Sequence, residues 1–261
     1  MSYWYLNKEG FPKVSLRERI NQTNAHQYKR EISELLTSQN DINEFYKLCK
    51  FIDNSGKLSN FTTNQLSNDL LYKTNDKFNI IIKGRQVGVS YALCVIALYN
   101  ALFLNKSVAL FSYNLESSIN LLDKVKMIYS HLDDHLKYGV RRLNKGQISF
   151  NNGTTIRSFG GLTKYTTSYD LVVIDEYDFT SYKFKKELIA NIYPVVSSRV
   201  GDKIIISSSL SSSESDYSIS DLLTSEDYTI FNFNVLTIDY IDSIVKQYNR
   251  NKKINQILNG K

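Results

Sequence analysis

The 261-residue chain predicts an α/β fold with a central, mostly parallel sheet covered by helices on both faces. Three observations predict it. Short apolar runs recur at 78–82, 107–113, 171–174, 203–206 and 228–233, and each suits a buried strand. Stretches of helical apolar spacing separate them. Two of the runs end in residues that carry chemistry: a glycine-containing turn after the first and an acidic pair after the third.

Composition bounds the reading. At 42% apolar and 22% charged, the chain can bury a core. No apolar run approaches a membrane span and MSYWYLNKEGF is not a signal peptide, so no membrane partner is expected. Cys49 and Cys94 sit in apolar, helix-like contexts and read as core thiols of a reducing compartment. His26, His131 and His135 form no ligand set with them, and HLDDH (131–135) reads as a solvated helix end. The formal charge of +6 permits a polyanionic partner but argues for one only if it is clustered.

In chain order, 15–38 is a polar helix with Ser15 as N-cap. A second helix covers 41–52, with Phe45, Leu48, Cys49 and Ile52 on one face. Thr63 caps a third, NQLSNDLLY. Residues 1–60 form a helical lead-in packed on the core of 61–236. After the first strand and its helix, 107–113 is the second strand and Asn114 caps a helix to about Ser130. Residues 147–159 read as a hairpin turning at Asn151-Asn152-Gly153. A polar loop at 160–168 leads to the third strand, a helix at 183–191 separates it from the fourth, and 228–233 is the fifth. Residues 207–220 are serine-rich, and 237–261 hold a basic amphipathic helix at 238–258.

The segment Lys83-Gly84-Arg85-Gln86-Val87-Gly88-Val89-Ser90 joins strand to helix, the context of a phosphate loop. Its glycines let N–H groups turn toward an anion, and the helix points its positive end there. The usual form ends Gly-Lys-Ser/Thr; here Val89 stands in the lysine's place. Ser90 keeps the magnesium-ligand position. Lys83, at the loop entrance, replaces the missing cation, because a lysine meets phosphate as a point charge on a flexible stem. The alternative is a solvated lysine beside a degenerate loop.

LVVIDEYDF (171–179) is a strand ending in two acids. Mg²⁺ takes oxygen ligands and keeps waters, so Asp175 is assigned to the metal. Glu176 is assigned to the attacking water. Ser207, Ser208 and Ser209 end the next strand, where a hydroxyl can report on the γ-phosphate; the alternative is a flexible serine loop. Gln65, on the helix upstream, can read adenine. With ATP and Mg²⁺ as ligands, the fold class sharpens to a three-layer P-loop NTPase of ASCE or RecA-like type.

These pieces in this order resemble the ATPase domain of the large terminase subunit of tailed phages, over about Asp41 to Phe233. KGRQVGVS is similar to the family variant that carries its lysine at the loop entrance. LNKGQISFNNGTTIRSF resembles the hairpin before the magnesium strand. YDLVVIDEYDF followed by IYPVVSSRVGDKIIISSS resembles that strand, its helix and the coupling strand, which puts Ser207 to Ser209 on the coupling motif. The resemblance implies an ATP-hydrolysing motor that drives double-stranded DNA into a procapsid. It implies a homo-oligomeric ring on the portal protein, a small terminase subunit as partner, and the host cytoplasm as location.

Two departures stand out. Where many terminases have Arg-Gly before the magnesium strand, this chain has Lys164-Tyr165-Thr166-Thr167. The family's RNase H-like nuclease has no room after Phe233, so the chain is expected not to cut DNA. The arginine that the family supplies in trans has four candidates: Arg141, Arg142, Arg157 and Arg199. A helicase-like motor and a degenerate nucleotide- or DNA-binding module remain the rival readings.

Overall fold

The computed structural model describes residues 25–53, 55–61, 77–83, 88–161, 169–209 and 229–233. Helix α1 (Ala25–Asn40) and helix α2 (Ile42–Leu48) come first, then a small antiparallel pair, β1 (Lys50–Ile52) and β2 (Leu58–Asn60). The core follows as β3 (Phe78–Lys83), α3 (Val89–Phe103), β4 (Val108–Phe111) and α4 (Leu115–Ser130). Next come β5 (Val140–Asn144), β6 (Gln147–Phe150), β7 (Thr155–Phe159) and β8 (Leu171–Asp175). Helix α5 (Tyr182–Glu187), a π turn (Leu188–Ile192) and α6 (Tyr193–Ser198) precede β9 (Lys203–Ser208) and β10 (Thr229–Phe233).

Eight strands form one sheet in the order β10-β3-β9-β8-β4-β7-β6-β5. Every pair from β10 to β7 is parallel, and β7-β6-β5 is antiparallel. Strand β9 lies between β3 and β8, so the strand that ends in Lys83 and the strand that ends in Asp175 are not neighbours. The described residues form the predicted three-layer α/β architecture around a mostly parallel sheet.

Alternation along the strands supplies both faces of the core. Ile81, Leu110, Val173 and Ile205 pack with α3 and α4. Ile80, Ile82, Val172, Ile174, Ile204 and Ile206 pack with Phe184, Leu188, Ile192 and Val196. Helix α3 is apolar all round because it is enclosed: α2 lays Phe45 on Tyr99, and β1 lays Phe51 on Tyr91. Asn114 caps α4 as expected, its side chain accepting from Ser117 N at 2.8 Å. Cys49 and Cys94 are buried thiols.

Four expectations change. The helix of 41–52 stops at Leu48, because Phe51 and Ile52 enter a hairpin instead. Asp53 builds its turn, Oδ1 accepting from Ser55 N at 2.9 Å and Lys57 N at 3.0 Å. The hairpin of 147–159 gains a third strand, β5, with a bulge between Val140 and Arg142. The helix of 183–191 runs on to Ser198 through the π turn, with Pro194, which has no N–H to donate, just beyond it. HLDDH is not a solvated end throughout: Leu132 and Leu136 join the core, and His135 Nε2 lies 3.0 Å from Glu34 Oε2 on α1.

The Ser15-capped start of the first helix, the Thr63-capped helix, the 162–168 part of the polar loop, the serine tract beyond Ser209 and the 238–258 helix lie outside the described residues. No helix among the described residues is long and apolar enough to cross a membrane.

Candidate active site

Strand β3 ends at Lys83, and helix α3 begins after Gly88. Gly88 adopts φ +84°, a left-handed conformation that L side chains resist. Gly88 is the N-cap of α3 and has no side chain with which to cap it. Val89 is buried in the core and offers the site only its backbone. Ser90, one residue on, is half-buried and turns its hydroxyl toward β8. Gly84, Arg85, Gln86 and Val87 lie outside the described residues, as does Gln65.

Lys83 Nζ is the hub. It lies 2.6 Å from Asp175 Oδ1, 2.9 Å from Glu176 Oε1 and 3.3 Å from Ser90 Oγ. Ser90 Oγ donates to Asp175 Oδ2 at 2.6 Å, and Ser207 Oγ donates to Asp175 Oδ1 at 2.5 Å. Side chains from three separate elements, β3, α3 and β9, thus converge on the carboxylate that ends β8. Burial alone would pull the Lys83 pKa down; the Asp175 and Glu176 carboxylates outweigh it and raise the pKa. Burial would push Asp175 up; the Lys83 charge and the hydrogen bonds from Lys83, Ser207 and Ser90 hold it below the usual range.

Glu176 is one of two non-glycine residues with positive φ among those described, at φ 57°. This bend aims its carboxylate back at Lys83 while the chain turns into a 3₁₀ turn, Tyr177–Phe179. Ser207 and Ser208 are consecutive in a strand and serve opposite faces. Ser207 reaches Asp175, whereas Ser208 Oγ accepts from Asp178 N at 3.0 Å. Ser209 O accepts from the Ser208 hydroxyl and takes no part in the cluster.

Sequence reasoning missed one supporting pair. Lys185 and Asp178 side chains are each 2% exposed, with Nζ 3.6 Å from Oδ1 and 3.1 Å from Asp178 O. The signal was available: Lys185 falls at a core-facing spacing next to Phe184 and Leu188. A buried lysine at that spacing needs an acid, and Asp178 is the near one. Of the arginines suggested to act in trans, Arg141, Arg142 and Arg157 are exposed at the β5–β7 edge, and Arg199 pairs with Asp202 Oδ2 at 3.1 Å.

The donor set fits Mg²⁺. Ser90 Oγ and Asp175 Oδ2 are hard oxygens that meet at 2.6 Å, and a second carboxylate, Glu176, stands close by on Lys83.

The family described as terminase large subunit, T4likevirus-type, N-terminal, matches residues 80–261. The chain belongs to this family of phage DNA-packaging proteins. Among solved structures, it is similar to the large terminase ATPase domain of Thermus phage P74-26, with 15% identity over 76% of this chain and 88% of that one and a TM-score of 0.47. It is also similar to the N-terminal domain of the bacteriophage phi29 DNA packaging ATPase, with 14% identity over 65% and 96% and a TM-score of 0.48. A third is the large terminase of a thermophilic bacteriophage in complex with ATP-gamma-S, with 12% identity over 75% and 49% and a TM-score of 0.49.

Proposed function

We propose that this chain hydrolyses ATP, with Mg²⁺, to drive double-stranded DNA into a procapsid from a ring of copies on the portal protein, in concert with a small terminase subunit. One observation carries the reading: Lys83 Nζ is within hydrogen-bond reach of Asp175, Glu176 and Ser90 at once. That combination of a cation, two acids and a hydroxyl at the mouth of a strand–turn–helix is what attack of water on a γ-phosphate requires.

In the mechanism, Lys83 and the amides from Gly84 to Ser90 hold the phosphates. The four-carbon stem of Lys83 lets its ammonium exchange carboxylate oxygens for phosphate oxygens. That exchange releases Glu176, whose carboxylate then accepts a proton from water. Ser90 and Asp175 would hold Mg²⁺, which supplies charge neutralisation across the phosphates when bound. Ser207, bonded to Asp175, passes a change at the phosphates to β9, and Ser208 passes it to the turn after Glu176. Gln65 is assigned to adenine and Arg85, Gln86 and Val87 to the phosphate loop. The core of 61–236 is the motor, with 1–60 as its lead-in.

The buried Val89 favours one rival, a nucleotide-binding module without turnover. The test is ATP turnover with portal and DNA present, in wild type, Lys83→Ala and Glu176→Ala. Turnover in wild type that both variants lose supports the motor. A wild-type ring that binds ATP and never hydrolyses it supports the module.

A further inference from the structure

One charged surface takes no part in the chemistry above. From Lys137 to Tyr169 the sequence has six cations, Lys137, Arg141, Arg142, Lys145, Arg157 and Lys164, and no Asp or Glu. The formal charge of the whole chain is +6, so every other stretch together balances to zero. The positive charge is clustered, not spread.

The fold lays most of this stretch out flat. Strands β7, β6 and β5 end the sheet on the side away from β3. The register puts Arg157, Gln147 and Asn144 in one row across the three strands, and Thr155, Ser149 and Arg142 in the next. Alternation places both rows on one face, while Ile156, Ile148 and Phe150 join the core behind them. Arg142, Asn144 and Arg157 are exposed, as are the bulged Arg141 and the turn residue Lys145. Gln147 Nε2 and Thr155 Oγ1 both donate to Ser149 Oγ, at 3.1 Å and 2.9 Å. The face is therefore a hydrogen-bonded polar floor with cations at its rim and no apolar side chain among its paired residues. The nearby acid Asp123 on α4 is tied to Lys126 at 2.6 Å.

An apolar partner would gain nothing on such a surface, whereas a polyanion would. Guanidinium forks match phosphate oxygens, and amide and hydroxyl side chains add contacts of the kind DNA backbones receive. Arg142 and Arg157 sit two strands and two residues apart, roughly 12 Å between backbones, on the sheet. We propose that this face of β5–β7 grips the phosphate backbone of duplex DNA during packaging, without reading its sequence. The proposal rests on the reading that the chain acts on DNA.

The test is binding of a duplex of mixed sequence over a salt series, without nucleotide. It compares wild type with a variant carrying Arg141→Gln, Arg142→Gln, Lys145→Gln and Arg157→Gln. Loss of each phosphate contact flattens the slope of log affinity against log salt by about 0.9, so by up to about 3.6 here. A matched control with Lys29→Gln, Arg30→Gln, Lys183→Gln and Lys186→Gln loses the same charge elsewhere and keeps most of the wild-type slope. Equal loss in both variants overturns the proposal, because net charge alone then explains it. Wild-type slope in the β5–β7 variant, with turnover of the assembled ring lost, also overturns it and gives the face to a neighbouring subunit.

A second measurement needs no variant. Duplex DNA should slow acetylation of Lys145 and leave Lys29 unchanged in the wild-type chain; equal rates overturn the proposal. ATP turnover is read separately. DNA binding through this face in a chain that never hydrolyses ATP supports the surface and removes the motor.

Discussion

Lys83 and Asp175 pair across an intervening strand. Nζ lies 2.6 Å from Oδ1, although β9 separates β3 from β8. Both side chains are nearly buried, at 6% and 8% exposed. The pair therefore fastens the C-terminal ends of β3 and β8 together, and Asp175 depends on it for charge. Lys83→Ala leaves the Asp175 carboxylate buried beside neutral donors, the Ser90 and Ser207 hydroxyls and the Glu176 N–H. Breaking a buried pair from one side costs about 3–5 kcal/mol. The single variant should lose stability of that order in denaturant melts, and adding Asp175→Asn should recover part of it. A Lys83→Ala chain as stable as wild type would mean the pair carries no structural weight.

The two serines that end β9 should separate by experiment. Ser208→Ala removes the acceptor of the Asp178 N–H in a buried place, and an orphaned group costs about 1–3 kcal/mol. Ser207→Ala removes one of several donors to Asp175, which keeps Lys83 and Ser90. Its expected cost is about 0.5–1.5 kcal/mol, with the larger effect on ATP turnover. Stability measured by urea and turnover measured on the same samples should rank the two variants oppositely. The same rank in both assays would contradict the division of labour.

Much of this was legible because it is local. Alternating strands and helices, the Asn114 cap and the acid pair at the end of 171–174 each follow from a few adjacent residues. The meeting of Lys83 with the acid pair was legible too, since only one lysine stands at the turn. What hid was what depends on distant partners. Phe51 and Ile52 continue a helical pattern on paper, and only the turn built by Asp53 makes them a strand. Strand β5 has Leu143 61% exposed and two arginines, so it shows no buried face to read. Lys185 falls at a core-facing spacing, but its pairing with Asp178 shows only once α5 is packed on the 3₁₀ turn. Strand order was also beyond the sequence; that β9 sits between β3 and β8 is a property of the pairing alone.

Gly88 gives a backbone test of the site's entry. Its φ is +84°, and a Cβ there would meet nothing within 4 Å. Any cost of Gly88→Ala is then conformational and not steric crowding by neighbours. The left-handed region disfavours a Cβ by about 1–2 kcal/mol. Gly88→Asn should cost less, since asparagine tolerates that region. Calorimetric melting of the three chains should give the order Gly, Asn, Ala. Alanine as stable as glycine would show that the turn simply relaxes.

Asp53 provides the pH test. Hydrogen bonds from the Ser55 hydroxyl first, then from Lys57 N and Ser59, hold its carboxyl at about 2. In an unfolded chain an aspartate titrates near 3.9. A carboxyl lowered on folding stabilises the folded state above the unfolded value and loses that contribution as pH falls through the folded one. The β1–β2 turn should therefore hold at pH 4 and loosen between about 4 and 2. Carbon-13 NMR of the Asp53 carboxyl should give a midpoint near 2 in wild type, moving toward 3.9 in Ser55→Ala. A wild-type midpoint already at 3.9 would mean the Ser55 hydroxyl does not hold the charge, and that another element keeps β1 paired with β2.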